Sequence, residues 1–397
     1  MKHPHVAFFS FPHASDVNPT LSLVATLVRR GYRVTYVTST RFASRVAAIG
    51  AEFVLCPPFP SGHSGSHTIL SGTLTQELID LAVQTISDVK TFYERNVPDL
   101  IIYDFICLAG RILADRWKIP AVQTRPAFGF DRRHLREQVK APEYYQAILD
   151  EGRKVDSFFR RHQIDGDFPF HKEALNIYFY PRVFQLPGAS FDDSCFYAAR
   201  CAGEQPYERK WKPQYSTELP TVLVSTSTYY IQGPDYFNMC INALEGLQRH
   251  VVLAIGDNND PTSFAPLPPH FEIIHRMPQI QVLPYADLLI CLGGMTTTME
   301  AMYYGVPLLM MTHGFPEPEL YAENVARLGL GRHLTKTEST VENIRKLVLG
   351  ISDDAALFER VQHMQHMVQS APGGEGTANR IGEYLDSITN SSLNVRI

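Results

Sequence analysis

The 397 residues carry 36 basic and 41 acidic side chains, a net charge of −5, so there is no basic field to hold a nucleic acid. With 45% hydrophobic and 19% charged residues, the chain suits a soluble globular protein long enough for two domains. Its apolar runs are strand-length rather than membrane-spanning, its start lacks the apolar core of a secretory signal, and six cysteines without CxxC spacing point to a reduced, cytoplasmic setting with no zinc framework.

The apolar run His5 to Ser10 reads as a strand. The helix after it is marked by Asn18 as N-cap, Pro19 at its first position, Leu21, Val24, Leu27 and Val28 on one face, and Gly31 as its stop. Strand Arg33 to Ser39, helix Phe42 to Ile49 and strand Glu52 to Cys56 complete a βαβαβ unit, which right-handed crossovers turn into a parallel sheet. The Pro-, Gly-, Ser- and His-rich stretch 57–72 reads as a loop in which His63 and His67 are solvated. Helix Leu74 to Arg95, strand Asp99 to Phe105, helix Leu108 to Lys118 and strand Ile119 to Thr124 follow, and then an amphipathic helix around Glu143 to His162.

Residues 203–220, polar and without period, read as a linker. The second half repeats the plan with strands Thr221 to Ser225, Val251 to Gly256, Phe271 to Arg276, Leu288 to Cys291 and Pro307 to Thr312. Between and after them come helices Asp235 to His250, Glu317 to Leu328, Asp354 to Val368 and Thr377 to Ile388. The cluster from Asp257 to Asp260 reads as a surface turn rather than a cation site. Two α/β halves of this kind place a ligand at the carboxyl ends of their strands, in a cleft between them.

One stretch, residues 289–318, stands out. A strand ends in Gly293-Gly294 and a helix opens at Met295 to Thr298, so backbone N–H groups and threonine hydroxyls gather at a positive helix end suited to an anion. The glycine pair alone is equally compatible with tight strand–helix packing.

Strand, Gly-Gly, Thr-Thr-Thr, Glu300 and Gly305-Val306-Pro307 in that spacing resemble the donor-binding signature of family-one glycosyltransferases of the GT-B fold. The lines VAFFSFPHASDVNPTLSLVATLVRRGYRVTYVTS and DLIIYDFICLAGRILADRWKIP resemble the same family, in particular its bacterial macrolide and YjiC-type UDP-glycosyltransferases. The resemblance covers nearly the whole chain. It implies an α/β protein of two Rossmann-like domains facing across a cleft: an acceptor-binding domain at 1–202, the linker 203–220, a nucleotide-donor domain at 221–375, and a C-terminal helix, 376–397, packing back on the first domain. It also implies that Tyr144, Tyr145, Phe158, Phe159, Phe168 and Phe170 line the acceptor site, where the residues alone read equally as core.

For the donor, the resemblance places Met277 and Gln279 over the nucleoside base and Glu300 on the ribose. It places Thr297, flanked by Thr296 and Thr298, with Gly293 and Gly294 on the phosphates, and Ser225 at the donor-facing end of the first strand of this half. Glu317 and Glu319 occupy the loop that meets the sugar hydroxyls. Read singly, these are a helix-starting polar residue, a solvated helix residue, an N-terminal cap and a turn hydroxyl. Three positions depart from the pattern. Leu292 replaces a phosphate-binding histidine and cannot donate a hydrogen bond, Ser227 replaces a glycine in the STST turn, and Pro318 interrupts the acid–amide pair.

The family's catalytic histidine is here Asp16, with Asp104 matching the acid that normally orients it. Asp16 then reads as the general base or as a helix-capping acid, and Asp104 as its partner or as a cap for the next helix. His13, three residues earlier on the same loop, reads as a second base or as an exposed loop residue. A free aspartate, with a pKa of about 3.9, needs burial or a second carboxylate to become a useful base.

Three functions follow. The first is metal-independent, inverting transfer of a sugar from a UDP- or dTDP-sugar to a hydroxyl of a hydrophobic natural product such as a polyketide or macrolide, with the nucleotide sugar as co-substrate and no bound cofactor. The second is acid–base dehydration, cyclisation or isomerisation of such a compound without any nucleotide. The third is an inactive homologue that supports a partner enzyme.

Overall fold

The computed structural model describes residues 4–59, 73–188, 192–199, 211–213, 219–226, 232–257, 259–264, 266–275 and 279–394. These form two compact units: residues 4–199 with 371–394, and residues 211–370. The chain re-enters the first unit at Ala371, slightly before the boundary expected at 376. Of the expected linker, only 211–213 and 219–220 are among the described residues.

The first unit runs β1 (His5–Phe9), α1 (Ala14–Arg29), β2 (Arg33–Thr38), α2 (Ala43–Ala48), β3 (Glu52–Leu55), α3 (Thr73–Arg95), β4 (Leu100–Asp104), α4 (Leu108–Trp117) and β5 (Ala121–Arg125). It continues through α5 (Leu135–Gln138), α6 (Pro142–Arg161), β6 (Asn176–Tyr178) and β7 (Cys195–Tyr197). All seven strands are parallel, in the order β3-β2-β1-β4-β5-β6-β7. β1 and β4 are fully buried runs, as strands covered on both faces must be.

The second unit runs β8 (Thr221–Ser225), α7 (Pro234–Leu244), β9 (His250–Ala254), β10 (Phe271–Ile274), α8 (Gln279–Val282), β11 (Leu288–Cys291), α9 (Met295–Tyr304) and β12 (Leu308–Met311). After these come α10 (Pro316–Arg327), β13 (Gly331–Leu334), α11 (Val341–Ser352) and α12 (Ala355–Gln369). Its six parallel strands are ordered β10-β9-β8-β11-β12-β13. The final helix, α13 (Gly373–Asn394), belongs to the first unit.

The first unit's core holds α1 in place. Val17, Leu21, Leu23, Val24 and Leu27 of α1 pack with Val6 and Phe8 of β1, Tyr36 of β2, and Ala378 and Ile381 of α13. Burying each large aliphatic side chain contributes roughly 1.5–3 kcal/mol. Arg29 and Arg30 add surface ion pairs to Glu375, which contribute little.

The start of α1 differs from expectation. Asn18 is not its cap, and Pro19 lies inside the helix. His13 is the cap: its backbone is extended (φ −129°, ψ 152°), and its ring Nδ1 accepts the Ser15 N–H at 3.4 Å. An imidazole can cap as a hydroxyl or carboxylate does, so the helix begins about a turn earlier and takes Asp16 with it.

β6, β7 and β13, three or four residues each, are strands that the periodicity does not predict. α11 is also new: Thr340 accepts the Asn343 N–H, and Ile344, Val348 and Ile351 form its buried stripe. The expected helix Asp235 to His250 ends at Leu244, and His250 instead opens β9. No helix among the described residues is long and apolar enough to cross a membrane.

Candidate active site

In the first unit, β1 and β4 are parallel neighbours with Phe9 opposite Tyr103, so their carboxyl ends deliver α1 and Asp104 to one edge of the sheet. His13 and Asp16 are each 6% exposed, which rules out an exposed loop histidine. Asp16 lies in the first turn of α1, where the helix dipole attracts negative charge, while His13 does the capping. The Ser15 hydroxyl donates to Asp16 Oδ2 at 2.6 Å and lies 2.8 Å from His13 Nδ1. His13 Nδ1 itself is 3.8 Å from Asp16 Oδ2. Ser15 is a member of this cluster that sequence reasoning missed. A hydroxyl directly before an acid in a first helical turn was the available signal.

Asp104 is 1% exposed. Its Oδ1 accepts the Ile106 N–H at 3.1 Å, forming a turn ahead of α4 rather than that helix's cap, which is Cys107. Its Oδ2 makes no hydrogen bond. Burial first, and then the negative charge of Asp16, push its pKa well above the ordinary range, with Ile106 N–H and Arg125 opposing more weakly. Both causes favour the protonated form of the Asp104 carboxyl.

This has a consequence for stability. The native state holds a proton that the unfolded chain releases above about pH 3.9, so this group's contribution is fully present below that value and is lost as pH rises through the raised one. Asp104→Asn mimics the neutral form. Denaturant unfolding is expected to show the variant's stability relative to wild type increasing from pH 5 to pH 8.

The expected acceptor-lining aromatics mostly belong to the core. Tyr144, Phe158, Phe159, Phe168 and Phe170 are buried, and Tyr145 lies under the Arg136 guanidinium. Phe168 stacks on Phe105, the residue after Asp104, with centroids 6.3 Å apart.

In the second unit, β11 leads through Gly293-Gly294 into α9. Gly293 has φ +98°, a conformation that calls for glycine, while a Cβ there would meet only the movable end of the Met310 side chain, 2.1 Å from Cε. Gly294 differs. It is the extended N-cap of α9, and a Cβ there would meet no atom within 4 Å, so packing does not demand its bareness. Beside it the first-turn N–H groups of α9 have no partner within the helix.

Thr296 and Thr297 are half-buried at this helix end. Thr298 is not available to a ligand: it is fully buried, and its hydroxyl donates to the Gly294 carbonyl at 2.9 Å. Leu292, 1% exposed, is part of the core.

Gln279 and Glu300, 21 positions apart in sequence, meet: the Gln279 amide donates to Glu300 Oε2 at 2.5 Å. Ser225 ends β8 with its hydroxyl donating to the Thr226 carbonyl at 3.2 Å. Met277, Ser227, His63, His67 and Asn258 lie outside the described residues.

Glu317, Pro318 and Glu319 are not a loop but the first turn of α10, where proline's missing N–H costs no helical bond. Both carboxylates have partners within the unit. Glu317 accepts the Tyr321 hydroxyl at 2.8 Å, and Glu319 accepts the Thr312 hydroxyl at 3.4 Å.

Asp260 accepts the Thr262 N–H at 2.8 Å, and Asn259 donates to the carbonyls of Gln232 and Ile255, as a structural turn would. Among the described residues no group of three or more His, Cys, Asp or Glu side chains could hold a metal ion.

Comparison with known proteins decides the family. The chain is 32% identical to the NDP-glycosyltransferase YjiC of Bacillus licheniformis, over 97% of this chain and 98% of that one. It belongs to the family-one glycosyltransferases of the GT-B fold. Residues 238–383 of this glycosyltransferase match the family described as erythromycin biosynthesis protein CIII-like, C-terminal domain. The demethyllactenocin mycarosyltransferase of Streptomyces fradiae is 27% identical, over 96% of this chain and 86% of its own. The crystal structure of CalG4, the calicheamicin glycosyltransferase, superposes with a TM-score of 0.79 at 29% identity, covering 97% of this chain and 99% of that one. These relatives support nucleotide-sugar transfer as the glycosyltransferase's general reaction.

Proposed function

We propose that this enzyme transfers a sugar, with inversion and without a metal, from a UDP- or dTDP-sugar to a hydroxyl of a hydrophobic polyketide- or macrolide-like acceptor. Asp16 takes the proton of the acceptor hydroxyl. The acceptor oxygen bonds to the anomeric carbon as the bond from that carbon to the diphosphate breaks on the opposite side, and the bonding electrons leave with the nucleoside diphosphate. Ser15, donating to Oδ2, fixes the orientation of the Asp16 carboxylate, and His13 anchors Ser15. Burial favours the neutral form of Asp104, which adds no second negative charge near the base.

The Gln279–Glu300 pair holds the nucleoside, and the N-terminus of α9 with Thr296 and Thr297 balances the charge of the diphosphate. Relatives that act in natural-product glycosylation support the acceptor class. A cytoplasmic setting is part of the same proposal and rests on the free thiols of Cys56, Cys107, Cys195, Cys240 and Cys291.

The observation that carries the reading is the buried His13–Ser15–Asp16 cluster at the sheet edge where buried Asp104 also lies. The donor half is tested by thermal melts with UDP and dTDP. A nucleotide at a hundredfold excess over its dissociation constant is expected to add about 2.7 kcal/mol of stability. No shift with either nucleotide would remove the donor from the account.

A further inference from the structure

β12 ends at Met311, and two successive residues with left-handed backbone follow, His313 at φ +52° and Gly314 at φ +82°. Glycine adopts this conformation freely, whereas a histidine there is strained and persists only where its surroundings hold it. The ring Nε2 of His313 is buried and makes no hydrogen bond. Native structures rarely leave such an atom without a partner, and the exceptions call for an explanation. Burial, and then the charge of Lys336, keep the ring below its usual pKa, so it is a neutral imidazole with one N–H to offer.

Topology says where the ring lies. It packs edge-on against Tyr236, with centroids 5.3 Å apart, and the Tyr236 hydroxyl donates to the Ser225 carbonyl at 3.5 Å. Ser225 ends β8 and His313 follows β12, and these two strands flank β11. A side chain that spans from the end of β12 toward the end of β8 crosses the end of β11. That is where Gly293 and Gly294 open into α9, with unoccupied space beside Gly294. A buried nitrogen without a partner, on a strained backbone, thus stands at the carboxyl edge of the sheet, the same edge at which α9 begins.

We infer that His313 donates a hydrogen bond from Nε2 to the diphosphate of the nucleotide donor and stabilises it as it departs. This rests on the nucleotide-donor reading above and assigns that site a contact its own glycine turn does not provide, since Leu292 is apolar and buried in the core. Tyr236 and the left-handed turn fix where the ring sits, so only a small adjustment is needed to expose Nε2 to the ligand.

The test compares UDP with uridine, which lacks the phosphates, by calorimetric or NMR titration of wild type, His313→Gly and His313→Asn. Glycine suits the left-handed backbone, so the ring is removed without new strain, and circular dichroism verifies the fold. Asparagine also tolerates that backbone and keeps an N–H donor. His313→Gly is expected to weaken UDP about 10- to 100-fold, leave uridine within about twofold, and regain part of the loss as His313→Asn. UDP binding equally well to wild type and His313→Gly, or UDP and uridine weakening alike, would overturn the inference while leaving the donor site standing. Failure of wild type to bind UDP and dTDP alike would overturn both.

Discussion

Asp16→Asn is expected to lower kcat for sugar transfer by about 10²- to 10⁴-fold while leaving the dissociation constant of UDP within about twofold, the range a positioned general base supplies. The substitution keeps the shape of the side chain and an oxygen to accept the Ser15 hydroxyl, so the first turn of α1 and its histidine cap survive. What it removes is the ability to hold the acceptor's proton. Asp104 is a poor substitute, because burial, the larger cause of its raised pKa, persists in the variant although the charge of Asp16 does not. Steady-state kinetics at saturating donor, paired with UDP titration, separate the two effects. A kcat within about tenfold of wild type would show that the proton leaves by another route.

Glu300→Ala is expected to raise the donor KM about 10- to 100-fold with little change in kcat at saturation, the pattern of lost binding common to ground and transition states. Glu300 is 6% exposed on α9 and receives the amide of Gln279 from the start of α8. Removing the carboxylate deletes the charge-assisted contact to the donor that we propose for it and also leaves the Gln279 amide without this acceptor, each effect worth about 1.5–3 kcal/mol at most. Glu300→Gln, which keeps the size but not the charge, is expected to fall between. An unchanged KM for both variants would place the nucleoside elsewhere.

The two sheets were legible because parallel strands buried on both faces leave near-continuous apolar runs, and β8 and β11 fall where those runs begin and end. The start of α1 was misread for a physical reason. Asn18-Pro19 has the pattern of a cap and first residue, but the imidazole of His13 captured an earlier N–H and moved Asp16 from loop to helix. The helix expected at Glu317 to Leu328 is present as α10, and Pro316 and Pro318 fit its first turn, which has no use for their missing N–H groups. The pairing of Gln279 with Glu300 is anticipated by the resemblance that places both on the nucleoside, and the structure brings their side chains into contact. The hydrogen bonds of Ser15, the raised pKa of Asp104 and the unpaired nitrogen of His313 depend on burial and on strands brought together by the fold, which one sequence does not display.

The most direct measurement is mass spectrometry of a hydroxylated polyketide or macrolide incubated with the enzyme and a panel of UDP- and dTDP-sugars, with the released nucleotide quantified in parallel. The account predicts an acceptor heavier by one sugar residue, with one nucleoside diphosphate released per product formed. An acceptor that is dehydrated or rearranged while every nucleotide sugar remains intact would contradict it.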